Sequence, residues 1–89
     1  MSIQVVFENE RVRVLRARHA PREKHPSASR RDRLIIYLND GHIRRRETDG
    51  DRPEEIQRKS GDVVWKEHSQ HEIENVKDSD HEVVIVELK

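Results

Sequence analysis

Histidine is the residue type with the widest chemical reach in this sequence of 89 residues, which contains six histidines and no cysteine. An imidazole can ligate a metal, move a proton or hydrogen-bond a ligand, whereas thiolate sites and disulfides are excluded. His71 is the best placed histidine, because on an alternating strand it shares one face with Ile73 and Asn75. A catalytic metal site needs about three protein ligands, so a site built on His71 must recruit groups from other elements.

Other reactive combinations in the sequence are less specific. Ser27 and Ser29 have no histidine at a spacing that suggests a hydrolase triad. Glu72 and Glu74 alternate with His71 and therefore face the other side of its strand, where they are poor acid or base partners for it. Three further histidines stand at polar strand ends and are expected to face water: His19, His42 and His81.

The charge balance argues against nucleic acid as a partner. Eighteen Lys and Arg residues are matched by eighteen Asp and Glu residues, so there is no long-range field to attract an anionic polymer or membrane. The triplet Arg44–Arg46 alternates in facing and is flanked by Glu47 and Asp49, so it is not a continuous basic patch. Stacking aromatic side chains, which single-stranded nucleic acids require, are limited to Phe7, Tyr37 and Trp65.

The distribution of apolar residues predicts a soluble, cytoplasmic protein. The longest apolar run, Val83–Val86, has four residues, whereas a membrane-spanning helix needs about 17 or more. Charge begins by Glu8, so no signal peptide is predicted. The lack of cysteine gives no indication of an oxidising compartment.

The kind of aliphatic residue predicts an all-β fold. Ten Val and seven Ile stand against four Leu and three Ala, and β-branched side chains favour strands. Short apolar clusters alternate with turn residues, which is typical of a sandwich or barrel. We predict one domain over residues 1–89, a jelly-roll barrel of about eight short antiparallel strands without a helix.

Eight strands are predicted from these clusters: Gln4–Phe7, Arg11–His19, Leu34–Leu38, His42–Thr48, Glu55–Lys59, Val63–Lys66, His71–Val76 and His81–Leu88. The apolar pattern of the second strand slips by one residue at Leu15, which predicts a bulge there. The segment Pro21–Ser29 has two prolines and no apolar pattern, so it is expected to be a loop or an irregular edge strand. The segment Asn39–Gly41 predicts a turn, because Asn and Gly tolerate positive φ.

The segment Gly61–Asn75 resembles the second sequence motif of the cupins. That motif runs as a glycine, five residues, proline, any residue, glycine, one or two residues, histidine, three residues and asparagine. The matching residues are Gly61, His71 and Asn75. Two positions depart from the motif, because Glu67 stands where proline is usual and Ser69 where glycine is usual.

The first cupin motif is expected upstream, ending at Gly41. In metal-binding cupins it supplies two histidines and a glutamate, and the corresponding positions here are Ala28, Arg30 and Leu34. The segments 7–15 and 21–24 are similar to the beginnings of small single-domain bacterial cupins, with Arg22 at a usual glycine. The resemblance covers nearly the whole chain and implies the conserved β-barrel, with His71 facing inward and a degenerate metal site.

One hypothesis is a metal-dependent enzyme of cupin type, an isomerase or a dioxygenase. It would use Fe, Mn, Ni or Zn, held by His71 with His25 or His68. His25 is the only histidine near the first motif, but it precedes the usual ligand positions by three and five residues. That odd offset puts it on the opposite face of a regular strand, unless the proline-bearing loop redirects it.

The other hypothesis, which we favour, starts from Arg30. Where metal-binding cupins hold a cation, this chain places a guanidinium, whose planar donors suit a carboxylate or phosphate. We therefore predict a cupin-like protein that binds a small molecule, such as an organic anion, without metal or catalysis. Its pocket is expected at His71, Asn75, Trp65 and Arg30. The alternatives are a surface position for Arg30, which belongs to the charge cluster Arg30–Arg33, and a core or dimer-interface position for Trp65. A homodimer is also predicted, since small barrels with exposed edges often hide apolar surface by pairing.

Overall fold

The structure is a computed structural model that describes residues 2–47 and 52–89. These residues form nine strands: β1 (Ser2–Glu8), β2 (Val12–His19), β3 (Lys24–Arg30), β4 (Arg33–Tyr37), β5 (Gly41–Glu47), β6 (Glu54–Arg58), β7 (Val63–Lys66), β8 (Ser69–Asn75) and β9 (His81–Leu88). In the described ranges no helix is long and apolar enough to cross a lipid bilayer.

The strands form two antiparallel sheets that face each other. The five-stranded sheet has the order β1-β2-β9-β4-β7, and the four-stranded sheet has the order β3-β8-β5-β6. The predicted all-β architecture is therefore confirmed. The predicted boundaries of β7 and β9 coincide with those observed. Strand positions were accessible from sequence because apolar alternation and turn residues act over short distances.

The core lies on the inner face of the five-stranded sheet. β2 and β9 pair without interruption over eight residues, which aligns Leu15 with Ile85 and Ala17 with Val83. Ala17, Tyr37 and Val83 form the buried cluster at its centre. Because side chains alternate along a strand, the residues between them point to the outer face.

The predicted bulge exists, but the prediction was wrong about its strand. The register shift lies in β1, where Val5 pairs with Leu15 and Phe7 pairs with Val14, leaving Val6 as the extra residue. β2 itself is regular against β9. Val14 and Leu15 face opposite sides of the sheet: Val14 faces an apolar outer surface and Leu15 faces the core. Two adjacent apolar residues are therefore compatible with a regular strand and do not require a bulge in β2.

β3 is an irregular edge strand, as predicted. Its pairing with β8 shifts between His25 and Ala28. Before the shift His25 aligns with Ile73, and after it Arg30 aligns with Ser69. Since Ile73 and Ser69 lie an even number of residues apart on β8, His25 and Arg30 share one face despite their odd spacing.

Gly41 is required for packing and not for its backbone conformation. Among the described residues the positive φ angles belong to Arg22 (63°) and Gly61 (89°), so the positive φ expected at Gly41 is not observed. A Cβ added at Gly41 would lie 2.8 Å from the ring atom Cε1 of His81 and 3.0 Å from Cε2 of Tyr37. The side chain of Asn39 stabilises the turn before Gly41, because its amide donates a hydrogen bond to the Asp80 carbonyl at 2.8 Å.

Candidate functional site

A cavity of about 50 Å³ lies between the two sheets. This volume admits only a small ligand. Much of its wall is apolar and comes from both sheets: Ala17, Ile35, Ile43, Ile73, Val83 and Ile85. Its polar and aromatic lining consists of Arg30, Arg33, His19, Tyr37 and His81. A few polar groups in an apolar wall are typical of a small-molecule site.

Arg30 is the most unusual group in this wall. Its Nη2 lies 3.1 Å from His25 Nδ1, and its buried Nε has no hydrogen-bond partner among the described atoms. Burial lowers the pKa of Arg30, and the nearby carboxylate of Glu87 opposes that effect. No described carboxylate lies within ion-pair distance of the Arg30 guanidinium. A buried positive charge with an unused donor is suited to an anionic ligand.

Arg33 supplies a second guanidinium and is held by backbone groups. Its side chain starts on the inner face of β4, and the residue is only 3% exposed. Nη1 donates to the carbonyl oxygens of Arg31 at 3.0 Å and Glu67 at 3.4 Å. These bonds orient the guanidinium, which lines the same cavity as Arg30.

His71 is buried beside these arginines, although it does not itself line the cavity. Its Nδ1 shares a hydrogen bond of 2.9 Å with Ser69 Oγ, and its Nε2 has no partner among the described atoms. Burial lowers the pKa of His71 to about 3, and nearby positive charges add to this effect. The cationic groups concerned are Arg30, Arg33, Arg45 and Lys66. The imidazole is therefore neutral at pH 7.

The groups around His71 do not fit a divalent cation. The backbone of Ala28 aligns with His71, and Arg30, at the second ligand position of the first cupin motif, brings a positive charge toward the same interior. Among the described side chains, no three His, Asp or Glu groups converge as a metal-ligating set. Like charges raise the free energy of a cation at this place. The function proposed below therefore does not rely on a metal.

The alternative ligand set is not brought together. The His68 side chain is 84% exposed and lies 3.2 Å from Asp32 in the loop before β8. His25, by contrast, is redirected to the inner face by the shift in β3, as the sequence allowed. Its Nδ1 is already engaged by Arg30.

Asn75 lies at the predicted inner face, where it fixes two chain turns. The residue is completely buried, and its Nδ2 donates to the carbonyls of Ala20 at 3.0 Å and Ser79 at 2.9 Å. Its Oδ1 accepts from the backbone N–H of Lys77 at 3.1 Å. With both ends of the amide engaged by backbone groups, Asn75 supports the barrel wall and does not line the cavity.

Trp65 lies away from the cavity. It aligns with Leu34 on β4, whereas its neighbours Val64 and Lys66 align with Ile35 and Arg33 on the inner face. Alternation therefore directs Trp65 outward, and the residue is 49% exposed. The predicted grouping of Trp65 with His71 is not observed for this reason.

Two buried histidines were missed by the sequence prediction, which expected them to face water. His19 and His81 are 5% and 3% exposed, and they align with each other in the β2–β9 register. Their ring centroids are 5.7 Å apart. The alternation that directs Leu15 and Ala17 inward also directs His19 inward, so following it to the strand end would have identified this position.

Comparisons with known proteins agree with this architecture. No protein-family model matches the sequence, and no curated protein matches it significantly. Among solved structures, a cupin domain from Bordetella pertussis Tohama I has a TM-score of 0.90 at 22% identity, covering 99% of this chain and 92% of that one. An RmlC-like cupin family protein with a double-stranded β-helix fold, from Methanocaldococcus jannaschii, has a TM-score of 0.75 at 16% identity, covering 98% of this chain and 78% of that one.

A third similar structure is a cupin superfamily protein from Desulfitobacterium hafniense DCB-2. It has a TM-score of 0.71 at 18% identity and covers 98% of this chain and 75% of that one. At such sequence identities the structural similarity establishes the fold, and the function has to be inferred from the residues of the site. The chain has the cupin fold, and the resemblance predicted from its sequence is confirmed at that level.

Proposed function

We propose that this cupin-fold protein binds a small organic anion inside its barrel and that Arg30 holds the anionic group. The observation that carries this proposal is a buried guanidinium that lines the cavity with an unused Nε–H donor. Arg33 provides a second positive charge in the same wall. A carboxylate or phosphate accepts from such planar donors with better geometry than other common groups.

The cavity also limits the size of the ligand. A volume of about 50 Å³ excludes nucleotides and sugars with several rings. The apolar wall favours a short aliphatic segment next to the anionic group. Binding without a chemical step is proposed, and the cytoplasmic location and the homodimer predicted from the sequence are retained as parts of the proposal.

A thermal-shift screen with acetate, butyrate and inorganic phosphate tests the proposal. The wild-type protein is compared with Arg30→Met, which keeps most of the side-chain volume and removes the charge. Arg16→Met is the matched control, because Arg16 pairs with Glu82 on the outer face of the barrel. We expect at least one anion to stabilise wild type and Arg16→Met, and Arg30→Met to lose that stabilisation.

Two outcomes would overturn the proposal. One is the lack of any anion-dependent shift in the wild-type protein. The other is an equal shift in wild type and Arg30→Met. Elemental analysis of protein purified without added metal provides an independent check, since stoichiometric Fe, Mn, Ni or Zn that is lost in His71→Ala would instead support the metal-dependent enzyme.

A further inference from the structure

The cavity has a second polar region, formed by His19 and His81. Both residues line the cavity and are more than nine-tenths buried. Neither ring nitrogen of His19 has a hydrogen-bond partner among the described atoms, and the same holds for Nδ1 of His81. Leaving a buried donor or acceptor unpaired is unfavourable, so a group that pairs with these nitrogens gains binding free energy.

The two histidines lie at the end of the barrel opposite to Arg33. His81 begins β9, whereas the residue of β9 that aligns with Arg33 is Glu87, near the end of that strand. Arg30 reaches between these ends, because its Nη2 contacts His25 and the His25 ring centroid lies 6.3 Å from that of His19. Arg30, His19 and His81 line the same small cavity, so a ligand with a hydrogen-bonding group at each end of a short carbon spacer can contact both regions.

The chemistry of the histidines selects a neutral group. Burial lowers the pKa of His19 and of His81 to about 4, so both are neutral at pH 7. A neutral imidazole has one N–H donor and one lone-pair acceptor. A hydroxyl group also donates and accepts, whereas a second carboxylate placed against these two neutral rings would lose its hydration without gaining an ion pair from them.

We propose that the ligand is a short hydroxycarboxylate, with its carboxylate at Arg30 and its hydroxyl at the His19–His81 pair. This inference rests on the anion-binding function proposed above and names the chemical class of that anion. His19 and His81 are then the residues that distinguish a hydroxy acid from a simple fatty acid of the same size.

The test compares 3-hydroxypropionate with butyrate, which replaces the hydroxyl by a methyl group of similar size. Isothermal titration at pH 7.5 should show about tenfold tighter binding of 3-hydroxypropionate to the wild-type protein. His19→Phe should remove this preference and leave butyrate binding largely unchanged, whereas Arg30→Met should weaken both ligands. His68→Phe, at a side chain that is 84% exposed, is the matched control and should behave as wild type.

A second measurement covers the case in which His19→Phe does not fold. Imidazole ¹⁵N resonances of the wild-type protein should move for His19 or His81 with 3-hydroxypropionate and remain in place with butyrate. Equal affinity for both acids, or no ¹⁵N change specific to the hydroxy acid, would overturn the hydroxycarboxylate inference while anion binding stands. Failure of both acids to bind, with no other anion binding in the thermal-shift screen, would overturn both proposals.

Discussion

Arg30 connects ligand binding with stability at the scale of a single residue. Protein groups stabilise the buried charge of Arg30 less well than water would. The negative charge of Glu87 offsets part of this cost, and the Nε–H donor of Arg30 has no partner among the described atoms. We expect Arg30→Met to raise the free energy of unfolding by about 1 kcal/mol while anion binding is lost. Urea denaturation measures the change, and a variant less stable than wild type would show that Arg30 is mainly a structural support for His25.

Three buried histidines determine a second residue-scale property, the stability of the protein in acid. Burial lowers the pKa values of His19, His71 and His81 to about 4, 3 and 4, against about 6.5 in an unfolded chain. The unfolded chain therefore binds protons that the folded chain does not. Their contribution to stability is fully present above about pH 6.5 and is lost as the pH falls toward 4, by at most about 1.4 kcal/mol per pH unit for each histidine.

This acid sensitivity is measured as the free energy of unfolding between pH 7.5 and 4.5. His19→Gln removes one of the titrating groups, so its profile should be flatter than that of wild type. The exposed His68 provides the control, and His68→Gln should run parallel to wild type. A His19→Gln profile that is also parallel to wild type would contradict the neutral, buried state of His19.

At the scale of the elements, two glycines serve different physical needs. Gly41 starts β5 against the rings of His81 and Tyr37, whereas Gly61 has a φ of 89° with no atom near its missing Cβ. Gly41→Ala should destabilise the fold by about 1–3 kcal/mol through overpacking. Gly61→Ala should cost about 1 kcal/mol through backbone strain.

Measurements at the cavity distinguish these two variants more clearly than measurements of stability do. Gly41→Ala must displace His81, so it should also move the His81 imidazole resonances and weaken 3-hydroxypropionate binding. Gly61→Ala should leave both unchanged. Unfolding curves and the titration described above provide the measurements, and an undisturbed His81 signal in Gly41→Ala would contradict the close contact.

Asn75 joins the turn after β2 to the turn before β9. Replacing its buried amide with alanine removes four hydrogen bonds of 2.9–3.3 Å and leaves backbone groups unpaired. We expect Asn75→Ala to lower the free energy of unfolding by about 2–4 kcal/mol. Asn9→Ala is the comparison, because Asn9 accepts two backbone N–H groups in an exposed turn and should cost about 1 kcal/mol or less.

At the scale of the whole molecule, the outer face of the five-stranded sheet is the surface best suited to the proposed homodimer. Phe7, Val63 and Trp65 are each about half exposed there. Leu34 and Val86 align between them and add apolar area. A stable interface buries about 800 Å² per partner, and this apolar face is the natural candidate for such an area.

Sedimentation velocity over a range of protein concentrations tests the dimer. Trp65→Lys should weaken association at least tenfold, because a central tryptophan is a typical hot spot and a buried lysine is unfavourable. Arg44→Gln, on the outer side of the four-stranded sheet, should not change it. Trp65 is the single tryptophan, so its emission should shift to the blue on association. A wild-type protein that remains monomeric at every concentration would contradict the proposal.

The sequence alone determined the class of fold and most strand positions. Valine and isoleucine clusters, separated by turns such as Ser60–Asp62, carry that information within a few residues. It also indicated that His71 faces inward, through alternation and the cupin resemblance. Arg30 was identified as a candidate because it replaces a ligand of metal-binding cupins.

Only the tertiary structure decided which side chains meet. The shift in β3 places His25 beside Arg30, and the β2–β9 register places His19 beside His81. The tertiary structure also places Trp65 on the outer face and pairs the Asn75 side chain with backbone groups. These relations depend on register and packing between segments far apart in the chain, and no local pattern specifies them.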